Sequence, residues 1–147
     1  MNAFSIIATF CFYSVFGWVL DTIWRSIRGW RYVRGGFSKY PFSPIYGFGA
    51  LFALGLVPLL DTRPLWFQWA FLALFLGAFE YVSGVLIVKT LHKRLWNYTE
   101  EPLDVKGHTT PFYAFAWGGL ALLVIYVLQP MLEASCSTSV LCAKLLQ

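Results

Sequence analysis

Glu80 lies near the middle of an almost purely apolar run from Pro64 to Val88. A helix that crosses a bilayer needs about 20 apolar residues, so this run is long enough to span one. An ionisable side chain there usually faces a bundle interior, a cavity or a partner, because exposure to lipid is costly. Two roles for Glu80 fit this position. In a functional role it relays a proton or cation or anchors a substrate, and in a structural role it forms a hydrogen bond between helices. Tyr81 follows the acid directly and is a second candidate for the same site.

A second acid, Asp21, lies near the end of another apolar run and has Arg25 one helical turn away. An ion pair at this spacing would satisfy both charges near the membrane interface. Trp18 lies deeper in the same run, on a different face from Trp24, and either lines a site or packs against a neighbouring helix. Asp21 and Trp18 are therefore candidate site residues, although the ion pair alone would explain the acid.

The segment from Arg34 to Tyr46 has the features of an anion site. Arg34 and a glycine pair precede a helix predicted to begin at Pro44, whose first turn carries the positive end of the helix dipole. Tyr46 would lie at the interface with its hydroxyl in water. A lipid phosphate and a substrate carboxylate both fit this arrangement. The basic residues expected to contact lipid headgroups or other anions are Arg25, Arg28, Arg31 and Lys39.

Four predicted membrane spans position these residues. Hydropathy read in windows of about 19 residues places the spans at 3–24, 44–60, 64–88 and 111–128. The predicted fold class is therefore all-α, a single polytopic transmembrane domain over residues 1–130 with a tail at 131–147. The second span is short, so a re-entrant hairpin with the start of the third is the alternative. Pro64, as a first-turn proline, favours two separate helices.

The two halves of the chain share a pattern. The second and fourth spans both open with Pro-x-Tyr-x-Phe followed by a small residue, at 44–49 and 111–116. Each preceding span carries a glycine shortly before its acid, Gly17 before Asp21 and Gly77 before Glu80. This pattern predicts two helical hairpins repeated in parallel orientation, as in some transporter folds. Chance similarity between apolar segments is the alternative.

The distribution of basic residues predicts the orientation. Nine of the 11 Lys and Arg residues lie in the two long loops, after the first and third predicted spans, and only Arg63 and Lys144 lie elsewhere. The positive-inside rule therefore places both loops in the cytoplasm, with the N-terminus and the tail outside. Cys136 and Cys142 in that tail either form a disulfide in an oxidising compartment or remain thiols.

Composition excludes several classes of protein. Hydrophobic residues make up 59% of the chain and charged residues only 12%, whereas soluble domains have about a quarter charged. The membrane explains the basic residues, so we expect no nucleic-acid partner. The sequence has no G-x-x-x-x-G-K-[ST] phosphate loop, so any ATPase must be a separate protein. No spacing of Cys and His suggests a metal site, and we expect no metal and no cofactor.

Several short motifs are spread over about residues 12–130. They are GWVLD at 17–21, RGGF at 34–37, PFSPIYGFGA at 41–50, EY at 80–81, WNYT at 96–99, KG at 106–107 and WG at 117–118. Together they resemble the bacterial putative ABC-transporter type IV membrane proteins. The chain departs from that pattern at Asp21, where Glu is expected, at Asn97, where Asp is expected, and before Trp117, where a serine is missing.

This resemblance implies a permease-like transport component in the bacterial cytoplasmic membrane. Four short helices make a thin conduit, so we expect a homo-oligomer or a complex with other membrane subunits. A separate ATPase is a further possible partner. Two alternatives stay open. One is a membrane-embedded enzyme acting on a lipid or isoprenoid, against which no nucleophile with a base and no metal cluster is evident. The other is a non-catalytic protein that binds lipids or assists assembly.

Overall fold

The computed structural model describes residues 3–36 and 40–137, with side chains described up to residue 135. Cys142 and Lys144, the side chain of Cys136, and Lys39 lie outside the described residues. The described part is helical, with one isolated β-bridge between Val105 and Thr109. The helices are α1 (Ala3–Gly29), α2 (Pro44–Gly55), α3 (Val57–Leu60), α4 (Leu65–Leu91), α5 (Pro111–Leu123) and α6 (Gln129–Ser137).

Three helical stretches are long and apolar enough to cross a membrane: Ala3–Gly29, Leu65–Leu91 and Pro111–Ser135. Pro44–Gly55 is a shorter apolar helix. The predicted fold class, an all-α polytopic membrane protein, is therefore confirmed. α1 and α4 run beyond the first and third predicted spans, to Gly29 and Leu91, because their polar ends continue the helix past the apolar core.

The predicted second span, 44–60, is divided in two. α2 ends at Gly55, and after Leu56 the chain becomes helical again as the short α3. Glycine lowers helix propensity, and Pro58 has no N–H to donate to the carbonyl one turn earlier, so the two residues together interrupt the helix. The 12 residues of α2 are about 18 Å long at 1.5 Å per residue, well short of the ~30 Å hydrocarbon core.

α4 has well-defined ends. Pro64 precedes it in an extended conformation, and its carbonyl accepts hydrogen bonds from the backbone N–H groups of Phe67 and Gln68. At the other end His92 adopts a left-handed conformation (φ 52°), and its N–H donates to the carbonyl of Val88. A single unbroken helix of 27 residues results, with Glu80 in its second half.

The third long stretch contains an irregular turn. After α5 the chain forms a π-helical turn at Val124–Leu128 and then continues as α6. Pro130, the second residue of α6, cannot donate to the carbonyl of Tyr126, and its ring would clash with that carbonyl in a regular α-helix. The wider π turn directly before the proline relieves this clash.

The chain folds as two compact units: Met1–Phe52 with Gln129–Gln147, and Ala53–Leu128. In the first unit the start of α2 packs closely on α1. Gly47 lies against Ser14, and the backbone N–H of Ser43 donates to the carbonyl of Ser14 (2.9 Å). A side chain at position 47 would collide with α1, so the small residue permits this crossing.

In the second unit α4 packs along α5. Gly77 faces Ala114, where an added Cβ would lie 2.7 Å from the alanine side chain, and Gly118 faces Ala73 in the same way at 2.9 Å. Small residues therefore let the two backbones approach closely. The apolar core beside this crossing consists of Ala53, Leu60, Leu72, Leu76 and Ala121.

Candidate functional site

Glu80 is buried, with 3% of its surface exposed, on the face of α4 that packs against the rest of the second unit. Its carboxylate accepts hydrogen bonds from the hydroxyl of Tyr98 (3.0 Å) and the hydroxyl of Thr109 (2.7 Å), one on each oxygen. The indole N–H of Trp117 on α5 also hydrogen-bonds to it. Three donors from two further segments thus meet at one acid.

All three of these donors are neutral groups. A carboxylate has about four acceptor positions, so three hydrogen bonds leave it nearly satisfied. Hydrogen bonds to a charged group contribute roughly 1.5–3 kcal/mol each, which offsets much of the penalty of burying the charge. The site is therefore a carboxyl held by hydroxyl and indole groups, and no cationic group is among those shown to contact it.

Two of the donors lie on residues 92–110, which we call the 92–110 connection. Backbone hydrogen bonds fold this segment tightly: Tyr98 donates to the carbonyl of Gly107 (3.0 Å), and Val105 donates to that of Thr109 (2.8 Å). The indole of Trp96 donates to the carbonyl of His108 (2.8 Å). These contacts hold the hydroxyls of Tyr98 and Thr109 in position for Glu80.

The connection leads directly into α5. Thr110 caps that helix, because its side chain accepts a hydrogen bond from the backbone N–H of Tyr113 (3.2 Å), and Pro111 starts the first turn. Tyr113 stacks on Tyr98 with ring centroids 4.2 Å apart. The cap and the stack fix the start of α5 beside the donor residues.

His108 is buried against α4, one turn beyond Glu80. A Cβ at Gly84 would lie 2.7 Å from the imidazole Nδ1, so this contact requires the glycine. Tyr81 meets the His108 ring edge to face, with centroids 5.7 Å apart. Burial, followed by the nearby charges of Arg94 and Lys106, lowers the pKa of His108 below its usual value, so the imidazole is neutral at pH 7.

Asn97, which stands where the family resemblance leads us to expect an acid, has a clear partner. The Arg94 guanidinium donates to the side-chain oxygen of Asn97 (3.1 Å) and to the backbone carbonyl of Lys106 (3.4 Å). An amide oxygen therefore accepts the hydrogen bond that a carboxylate could accept, without the negative charge. The connection keeps this internal contact although the acid is absent.

A separate polar cluster occupies the first unit around Asp21. The carboxylate of Asp21 accepts a hydrogen bond from Arg25 (2.9 Å) and one from the backbone N–H of Gly36 (2.8 Å). The hydroxyl of Thr22 accepts from the backbone N–H of Gly35 (2.9 Å). The glycine pair thus docks on α1, and its N–H groups are used within the protein.

The other candidates of this unit lie close by. The guanidinium of Arg34 is 6.0 Å from the ring centre of Trp18, a cation–π arrangement. The ring of Tyr46 packs on Gly17 of α1.

The structure thus gathers Asp21, Trp18, Arg34 and Tyr46 in the first unit, and Glu80 with Tyr81 in the second. Arg28 lies over the ring of Trp24 (5.9 Å), and Arg31 is exposed.

Sequence reasoning did not select the three partners of Glu80. Tyr98 and Trp117 were present in the motifs WNYT and WG, but nothing in the local pattern connects them to an acid 18 or more residues away. It also missed two buried glutamines. Gln68 accepts a hydrogen bond from Tyr126 (2.7 Å), and Gln129 accepts one from Tyr13 (3.1 Å).

No group of three or more His, Cys, Asp or Glu side chains that could hold a metal ion occurs among the described residues. The polar residues of the second unit instead form hydrogen-bonded pairs and, at Glu80, a cluster in which three donors contact one carboxyl group. Chemically, such a carboxyl group can bind a proton or a cation, or its hydrogen bonds can attach the 92–110 connection to α4 and α5.

Comparison with known proteins identifies one family. The family model described as putative ABC-transporter type IV matches residues 8–145, nearly the whole chain. No curated protein and no solved structure shows a significant match. The match covers both polar clusters, the 92–110 connection, most of α1 and the other long apolar helices.

Proposed function

Because the chain belongs to the putative ABC-transporter type IV family, we propose that it is a permease-like subunit of a transport complex, with Glu80 at its polar centre. One observation carries the proposal: a buried acid in a long apolar helix is contacted by three neutral donors. An ionisable residue within a membrane span usually marks a substrate, ion or proton pathway.

The hydrogen bonds suggest how binding at Glu80 would be coupled to movement. A proton or cation that binds the carboxylate neutralises its charge and so weakens its hydrogen bonds from the hydroxyls of Tyr98 and Thr109, since hydrogen bonds to a charged acceptor are the stronger ones. Both hydroxyls belong to the 92–110 connection. Occupation of Glu80 therefore loosens the connection from α4, and release of the ligand restores it.

The proposed setting follows from the rest of the chain. The subunit lies in the bacterial cytoplasmic membrane, with both long loops in the cytoplasm and both termini outside, as the basic residues predict. The chain lacks a phosphate loop, so a separate ATPase would provide the energy. Its partners are membrane lipids and either further copies of itself or other membrane subunits.

The test is isolation of the tagged protein from its own host membranes, with mass spectrometry of everything retained. We expect an ATPase subunit at a fixed ratio, together with a small molecule or ion that Glu80→Gln loses. Glu100→Gln is the matched control, because Glu100 is an exposed acid on the same connection. An isolate that contains no ATPase would contradict the proposal.

The same hydrogen bonds favour a second candidate, a non-catalytic assembly or lipid-binding protein. A carboxyl that joins α4, the connection and α5 is also what a purely structural tie requires. The two candidates differ in the behaviour of Glu80→Gln. If Glu80 has only a structural role, Glu80→Gln should greatly lower the thermal stability, and the same molecules should co-purify. If Glu80 is part of a transport site, the variant should remain folded but lose its bound ligand.

A further inference from the structure

The end of α1 carries three exposed residues, Trp30, Arg31 and Tyr32, which we call the Trp30–Tyr32 tip. Trp30 is 96% exposed and Tyr32 is 74% exposed. Arg31 between them is exposed as well. Two large amphipathic rings with a guanidinium between them therefore project from the first unit and bury little of their surface against the protein.

The backbone at Trp30 is unfavourable for this residue type. Its φ is 50°, in the left-handed region, which is unfavourable for a residue with a side chain and where glycine or asparagine usually ends a helix. Trp30 directly follows Gly29 and donates a backbone hydrogen bond to Ile27 (3.4 Å). The tryptophan therefore gains neither a favourable backbone nor burial within the protein at this position.

The surrounding charge is positive. Asp21 is the only acidic residue among the first 60, and it already accepts a hydrogen bond from Arg25 (2.9 Å). Arg28 and Arg31 follow within the next two turns of chain. No acidic side chain close in sequence therefore balances the charge of Arg31, and the tip is complementary to an anionic surface.

The length of α1 places the tip at the membrane boundary. Its 27 residues are about 40 Å long, whereas the hydrocarbon core is about 30 Å thick, so the last turns reach the headgroup region. Tryptophan and tyrosine favour that region, and anionic lipids there attract arginine. We propose that the Trp30–Tyr32 tip is a binding site for the headgroup of an anionic phospholipid, with Arg31 on the phosphate and the two rings beside it.

Quenching by brominated lipids tests this. The full chain is reconstituted in bilayers that contain the same fraction of either brominated phosphatidylglycerol or brominated phosphatidylcholine. The difference in emission between the wild-type protein and Trp30→Phe isolates the fluorescence of Trp30. We expect stronger quenching by the anionic lipid, and we expect Arg31→Gln to reduce this preference about fivefold, whereas Arg31→Lys retains it.

Trp66 provides the matched control, since it is 70% exposed at the start of α4 and has Asp61 and Arg63 nearby in sequence. Its signal, isolated with Trp66→Phe, should be quenched alike by both lipids. Equal quenching of Trp30 by the two lipids would overturn the proposal. Quenching of Trp30 by aqueous iodide but by neither lipid would also overturn it, by placing the tip in water.

Discussion

At the scale of single residues, the nature of the donors determines what Glu80 can do. The donors shown on its carboxylate are neutral, in contrast to Asp21, which contacts Arg25. A proton or cation that binds Asp21 must displace Arg25, whereas no ion pair is shown at Glu80 that would have to break. Of the two acids, Glu80 is therefore the better candidate for exchange of a proton or cation.

Removal of the Thr109 hydroxyl measures how much its hydrogen bond to Glu80 contributes to the stability of the protein. Thr109→Val keeps the shape of the side chain but deprives Glu80 of its 2.7 Å hydrogen bond. A hydrogen bond to a charged group contributes about 1.5–3 kcal/mol, so we expect the free energy of unfolding in mixed micelles to fall by about that amount.

Thr90→Val is the control, because Thr90 lies on α4, the helix of Glu80, and its exposed hydroxyl donates to the backbone carbonyl of Leu86. That variant should change the free energy of unfolding by less than about 0.5 kcal/mol. Equal effects of the two substitutions would show that the Thr109 contact adds nothing to stability.

At the scale of elements, the π-helical turn at Val124–Leu128 decides which side chains of the third long stretch face inward. Tyr126 in this turn donates to Gln68 on α4, and Gln129 just after it accepts from Tyr13 on α1. The extra residue in a π turn shifts the helix face by about 100° relative to a regular α-helix. This shift sets the positions of the two residues on the helix surface.

Pro130→Ala tests the origin of the turn. The backbone N–H that this substitution restores can donate to the carbonyl of Tyr126, so we expect the π turn to become regular α-helix and Tyr126 to rotate away from Gln68. A double-mutant cycle measures this. Tyr126→Phe should cost about 1 kcal/mol of unfolding free energy in the wild-type background and clearly less in the Pro130→Ala background.

Pro58→Ala provides the comparison for that cycle. Pro58 belongs to the other proline interruption, the break between α2 and α3, so the cost of Tyr126→Phe should be unchanged in this background. An equal cost of Tyr126→Phe in all three backgrounds would show that Pro130 does not cause the π turn.

At the scale of the whole molecule, each compact unit contains one acid that contacts the segment following its helix. In the first unit the backbone of Gly36 donates to Asp21, and in the second the side chains of Tyr98 and Thr109 donate to Glu80. The tight contacts of Gly17 with Tyr46 and of Gly77 with Ala114 add to the parallel. These common features support the proposal that the chain consists of two related hairpins.

Reporter fusions test the predicted orientation of the whole chain. Alkaline phosphatase inserted at Pro102 should be inactive and green fluorescent protein bright, because the positive-inside rule places the 92–110 connection in the cytoplasm. Insertions at Thr62, between α3 and α4, should give the opposite result. The same pattern at both positions would contradict the predicted orientation.

The sequence alone determined the class of fold and the residue of greatest interest. Long apolar runs require helices in a membrane, and an acid within one of them requires a partner, so the helices and Glu80 follow from composition and spacing. The same reasoning identified Asp21 with Arg25, since residues four apart on a helix are neighbours.

Only the tertiary structure decided which residues distant in sequence contact each polar side chain. Tyr98, Thr109 and Trp117 reach Glu80 because the 92–110 connection folds back on α4, and no local pattern specifies that fold. The break after Gly55 and the π turn before Pro130 arise at residues that the sequence shows, but only the structure gives the form that each irregularity takes. Local periodicity fixes which residues form a helix, but contacts between residues distant in sequence depend on packing, which one-dimensional spacing does not contain.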